Sequence, residues 1–81
     1  MPTVFRQEGF EIIIHSNDHN PPHVHVIKAE GELKFTLGDE NEEPALDKIL
    51  SPMKKKDARR AFDIVEEQQM YLLEKWREIY E

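Results

Sequence analysis

The sequence predicts an α+β domain, in which an antiparallel sheet of about four strands packs against one long C-terminal α-helix. Residues 1–37 are rich in β-branched and aromatic side chains, and Gly, Asn, Asp and Pro divide them into short segments. Residues 51–80 instead place apolar side chains at three- and four-residue spacing, the period of an amphipathic helix. A chain of 81 residues fits a single domain, residues 1–81.

The first half reads as a β-meander. A turn at residues 7–9 and a hairpin loop at residues 29–32 separate predicted strands, and Pro21 and Pro22 must lie outside any central strand because proline cannot donate to a ladder. The strands are predicted at residues 3–6, 10–15, 23–28 and 33–37.

Residues 38–50 connect the sheet to the helix as an acidic loop followed by a short helical turn at 45–50. Ser51 and Pro52 are typical of a helix start, because serine can cap and proline fits the first helical position. The helix should then run to about residue 80 and pack on one face of the sheet. That face is formed by Phe10, Ile12, Ile14, Val24, Val26, Leu33, Phe35 and Leu37.

Charge and composition argue against several classes of protein. The formal charge of -6 argues against broad, non-specific nucleic-acid binding, and the chain has no cysteine for disulfides or thiolate metal sites. With no apolar N-terminal region and no membrane-length apolar run, we expect a cytoplasmic protein without a membrane partner. A basic block at residues 54–60 makes Lys55 and Arg59 candidate anion-binding residues, or else solvated partners of nearby acidic residues.

All four histidines lie between residues 15 and 25. Strand residues alternate between faces, so three of the histidines should share the sheet face away from the helix, with His19 in a loop. The residues expected on that face are His15, His23, His25, Lys34 and Thr36, beside exposed Ile13 and Ile27. Such a mixed patch is typical of a site, a homodimer contact or a partner surface.

Three interpretations of the histidines stay open. His23 and His25 could act as acid and base in RNA cleavage, with Lys34 contacting the phosphate; Lys28, Arg6 or Arg59 could also do so. They could instead bind a transition metal such as zinc together with Asp18 and His19. Finally, they could hydrogen-bond backbone groups around the two prolines or form an interface.

The block from Ser16 to Val26, Ser-Asn-Asp-His-Asn-Pro-Pro-His-Val-His-Val, resembles the signature of an uncharacterised bacterial family, domain-of-unknown-function family 4160. The resemblance continues through residues 31–35, residues 55–60 and the helix that contains Trp76. It implies a small prokaryotic cytoplasmic protein whose gene neighbours that of another small domain, unknown-function family 2442, in a toxin–antitoxin-like pair.

The resemblance supplies no catalytic residues and does not decide whether the protein is an enzyme. We expect a component of a two-gene module that acts through a small protein partner encoded by the neighbouring gene, with a ribonuclease-like activity on RNA as one form. A non-catalytic, antitoxin-like module with a histidine-rich interface and a small metal-binding protein are the alternatives.

Overall fold

A computed structural model describes residues 3–15 and 20–80 and confirms the predicted fold class. An antiparallel sheet, with its strands in chain order, is followed by two helices. The strands are β1 (Thr3–Gln7), β2 (Phe10–Ile13), β3 (His23–Lys28), β4 (Gly31–Thr36) and β5 (Ala45–Ser51); the helices are α1 (Lys55–Glu67) and α2 (Gln69–Tyr80). Neither helix in these ranges is long and apolar enough to cross a membrane.

The core lies between one face of the sheet and the two helices. Alternate residues of β2, β3 and β4 point into it, as the period of a half-buried strand predicts. Each such apolar side chain contributes about 1.5–3 kcal/mol when fully buried. The core residues are Phe10, Ile12, Ile14, Val24, Val26, Leu33, Phe35, Leu37, Ala61, Ile64, Val65, Leu72, Leu73 and Trp76.

Residues 45–50 are not a helical turn, because they belong to the edge strand β5. β5 pairs with β4 and so satisfies backbone groups that β4 would otherwise leave open. Two register shifts interrupt the pairing, and such bulges hide the two-residue alternation by which a strand is recognised. The apolar side chains Leu46, Ile49 and Leu50 stay 43–59% exposed on this edge.

The C-terminal half is two helices rather than one. Ser51 ends β5, and α1 begins only at Lys55, with Lys54 at the N-cap position and no side-chain capping bond. Gln68 then interrupts the helix at φ -104° and ψ 14°, outside the α-helical region. The break falls at the polar pair Gln68 and Gln69, where the apolar stripe of the sequence is also interrupted.

Gln69 joins the start of α2 to the acidic loop. Its side-chain Nε2 donates to the carbonyl oxygens of Leu37 at 2.7 Å, Asp39 at 2.9 Å and Glu42 at 2.8 Å. An amide nitrogen has two hydrogens, so three acceptors share them. The loop closes around Gly38, whose φ of 67° favours glycine and where a Cβ would collide with the Glu42 backbone.

The β1–β2 hairpin is attached to α1 by an arginine. Arg60 donates from Nε and Nη2 to the two carboxylate oxygens of Glu8, at 3.0 and 2.6 Å. These hydrogen bonds are the main reason that the pKa of Glu8 falls to about 2 and that of Arg60 rises. Glu8 therefore remains an ionised anchor at neutral pH.

Candidate functional site

The imidazole rings of His15, His23 and His25 lie together, as strand alternation predicts. His15 follows β2 and has the same parity as Ile13, which is paired with His25 of β3. The His15 and His25 ring centroids are 4.2 Å apart with an interplanar angle of 80°, and the His23 and His25 centroids are 5.7 Å apart. His25 is thus the central ring of the cluster.

Glu32 orients the central ring. His25 Nδ1 lies 3.0 Å from Glu32 Oε2, and His25 is only 9% exposed. A carboxylate accepts, so the neutral imidazole carries its proton on Nδ1 and its lone pair on Nε2. In this state His25 can act as a general base through Nε2; if Nδ1 instead loses its proton, His25 and Glu32 can bind one metal ion together.

His23 has a different environment. Its Nδ1 lies 2.9 Å from the carbonyl oxygen of Pro21, to which it donates, and its ring centroid is 5.2 Å from that of Trp76. His23 is 5% exposed. Of the two histidines predicted as an acid–base pair, His25 contacts the Glu32 carboxylate, and its ring is closer to the ring of His15 than to that of His23.

The C-terminal end of α2 contacts the histidine cluster. The Trp76 ring contacts the Tyr80 ring at a centroid distance of 4.3 Å, and the Tyr80 hydroxyl donates to the carbonyl oxygen of His15. Through Trp76 and Tyr80 the helix therefore fixes both His23 and the backbone of His15. The sequence predicts these histidines on the sheet face away from the helix; at this edge of the sheet the end of α2 nevertheless contacts them.

The sheet face that carries the histidines is also less exposed to solvent than predicted. Ile13 was expected to be exposed but is only 5% exposed, whereas Ile27 is half-buried. Ile13 lies between Thr3 of β1 and His25 of β3 in the ladder, so both neighbouring strands crowd it.

Two lysines lie next to the cluster on the same face. Lys34 of β4 is directly opposite His25, and Lys48 of β5 is directly opposite Lys34. The Lys34 ammonium lies 3.3 Å from a carboxylate oxygen of Asp47. The predicted association of Lys34 with the histidines is therefore consistent with the strand register.

Other candidate cations lie elsewhere. Lys55 and Arg59 are exposed on α1, which packs on the opposite face of the sheet. Lys28 contacts Asp57 of α1 at 3.5 Å, and Arg6 contacts Glu11 at 3.5 Å. The candidate residues Asp18 and His19 lie outside the described residues.

His15, His25 and Glu32 together form a potential metal-binding set. Each offers one ligand atom, and these three atoms lie within 4.8 Å of one another. A tetrahedral zinc ion spaces its nitrogen and oxygen ligands about 3.3 Å apart, so rotations of the side chains would close the set around an ion. Two of the sequence-predicted ligands, His23 and His25, are among the described residues, and of these His25 belongs to the set. Sequence reasoning misses Glu32 because it predicts a hairpin loop at residues 29–32.

Comparison with protein families adds one finding. The pattern that defines the Domain of unknown function (DUF4160) matches residues 9–77, which include the whole His15–His25–Glu32 set. The chain belongs to this family. Comparisons with curated proteins and with solved structures give no match. The function of this member of family 4160 must therefore be argued from its own residues.

Proposed function

We propose that this member of family 4160 binds a divalent transition metal ion, such as zinc, through His15, His25 and Glu32. The supporting observation is the convergence of three potential ligand atoms, from separate segments of the chain, within 4.8 Å. Two imidazoles and one carboxylate suit zinc and neighbouring first-row metals. Three protein ligands are typical of a catalytic site, because they leave one position for water or substrate.

The fold supports this proposal by holding the ligands before an ion arrives. His25 and Glu32 lie on adjacent strands, and His25 Nδ1 and Glu32 Oε2 are 3.0 Å apart, close to the ligand spacing around zinc. On binding, the ion would replace the Nδ1 proton that now joins these two atoms. The Tyr80 hydroxyl holds the His15 backbone. A site fixed by paired strands and a helix end loses little conformational entropy on binding, which favours affinity.

Zinc titration of Glu32→Gln tests the proposal. We expect the wild type to bind one zinc ion per chain and Glu32→Gln to bind it about 100-fold more weakly, because a neutral amide is a poor replacement for a carboxylate ligand. Glu30→Gln is the matched control, since Glu30 is exposed on the same hairpin and is not one of the three converging residues. Isothermal titration calorimetry gives both stoichiometry and affinity.

Equal zinc affinities for Glu32→Gln and Glu30→Gln would overturn the proposed ligand set. Two further variants distinguish the proposed ligands from those predicted by sequence alone. His15→Ala should abolish zinc binding, whereas His23→Ala should retain it. Circular dichroism checks that both variants stay folded. Zinc should also raise the melting temperature of the wild type, and a chelator should reverse this shift.

A second candidate is metal-independent RNA cleavage as the toxin-like component of a two-gene module. The His25–Glu32 hydrogen bond favours it, because a carboxylate that orients an imidazole prepares it as a general base. In this scheme His25 removes the 2′-hydroxyl proton, His15 or His23 protonates the leaving oxygen, and Lys34 contacts the phosphate. The partner would be the product of the neighbouring gene.

An RNA cleavage assay with and without a chelator distinguishes the metal site from metal-independent catalysis. Cleavage of a short RNA that continues in excess chelator and is lost in His25→Ala supports metal-independent catalysis. Cleavage that stops in chelator and returns with zinc supports the metal site. If RNA stays intact under both conditions and expression does not arrest growth, ribonuclease activity is excluded, and co-purification with the neighbouring gene product tests the binding-module alternative.

A further inference from the structure

We infer that the metal-loaded site binds a phosphate group, with one phosphate oxygen on the ion and another on the Lys34 ammonium. This inference rests on the proposed metal site and adds to it the chemical class of its ligand. It also assigns Lys34 the role of a ligand-binding residue beside the metal.

The strand register places Lys34 at the site. Lys34 is directly opposite His25 in the β3–β4 ladder and is two residues from Glu32 on β4. Side chains that are directly opposite, or two residues apart on one strand, project from the same face of a sheet. The lysine therefore borders two of the three proposed metal ligands.

The local charge favours an anion although the whole chain is acidic. On this part of the face, Lys34 and Lys48 balance the carboxylates of Glu32 and Asp47. A bound divalent ion then leaves a local excess of positive charge, in a chain whose formal net charge is -6. Such a local field attracts anions whatever the sign of the net charge.

Lys34 can exchange its present partner for a ligand. Its ion pair with Asp47 is 3.3 Å long, and the two side chains are 29% and 44% exposed. Pairs this exposed are weak, so a doubly charged phosphate beside a metal ion can compete with the Asp47 carboxylate. The ammonium group is a point charge with three donors, well suited to a phosphate oxygen.

Phosphate titration of the zinc-loaded protein tests the inference with Lys34→Met. Inorganic phosphate should bind the wild type, and Lys34→Met should raise its Kd about tenfold, the effect of losing one charge-assisted hydrogen bond. Zinc should still bind with one ion per chain, because Lys34 is not one of the three proposed ligands. Lys75→Met is the matched control, since Lys75 forms a similar ion pair, with Glu78 at 3.4 Å, and is 33% exposed. Its phosphate Kd should equal that of the wild type.

The possible failures are distinguishable. If zinc does not bind, the metal proposal and this inference both fail. If zinc binds but phosphate does not, or if Lys34→Met and Lys75→Met give the same phosphate Kd, only this inference fails. A short single-stranded oligoribonucleotide is the second probe: binding that depends on both zinc and Lys34 identifies a phosphodiester ligand, whereas binding of inorganic phosphate alone identifies a phosphate monoester or free phosphate.

Discussion

Trp76→Ala is expected to lower the free energy of unfolding by about 3–5 kcal/mol, a large share of the stability of a small domain. Trp76 is 2% exposed and belongs to the core between the sheet and the helices. Its ring also contacts those of His23 and Tyr80, so its removal leaves a cavity and detaches the end of α2 from the histidine cluster. Urea unfolding followed by circular dichroism measures the loss.

Met70→Ala provides the comparison for Trp76→Ala. Met70 lies on the same helix but is 52% exposed, so its truncation should cost less than about 1 kcal/mol. Trp76→Phe should recover part of the loss by refilling the cavity. Equal losses for Trp76→Ala and Met70→Ala would contradict the assignment of Trp76 to the core.

Gln69→Glu is expected to lower the free energy of unfolding by about 2–3 kcal/mol. The substitution replaces an amide that donates to three carbonyl oxygens with a carboxylate that only accepts. Three acceptors lose their donor and face a negative charge instead. The same urea titration measures the change, and we expect the acidic loop to become more accessible to protease as it separates from α2.

Gln68→Glu makes the same chemical change one residue earlier. Gln68 lies between the end of α1 and the start of α2, and among the described residues its side chain forms no hydrogen bond. A carboxylate there meets opposing dipoles from the two helices, so its net effect should be small. A loss as large as that of Gln69→Glu would show that the three carbonyl contacts are not what stabilises the loop.

Much of the fold can be predicted because the apolar residues of the sequence follow clear strand and helix periods. In residues 33–37 the alternate apolar residues are the buried ones, and after residue 55 the buried residues follow the helical spacing. β5 was missed because its two bulges interrupt alternation and its composition also suits a helix. Its conformation is determined by pairing with β4, which local sequence does not encode.

The candidate site was only half predictable. Strand parity correctly associates His15 with His25 and places Lys34 on their face, but the sequence predicts Glu32 in a hairpin loop. The loop is only Ala29 and Glu30, and Ala29 has a φ of 52°, which a residue other than glycine rarely adopts. Gly31, the expected turn residue, instead lies in β4, where a Cβ would come within 2.8 Å of a Met53 side-chain atom.

X-ray absorption at the zinc edge is the most direct test of the proposed metal site. The protein would be loaded with one equivalent of zinc and freed of excess metal before measurement. We predict a first shell with two imidazole nitrogens, from His15 and His25, at about 2.0–2.1 Å, completed by oxygen from Glu32 and from water or a ligand. A shell with fewer than two imidazoles, or zinc lost on removal of excess metal, would contradict the proposed site.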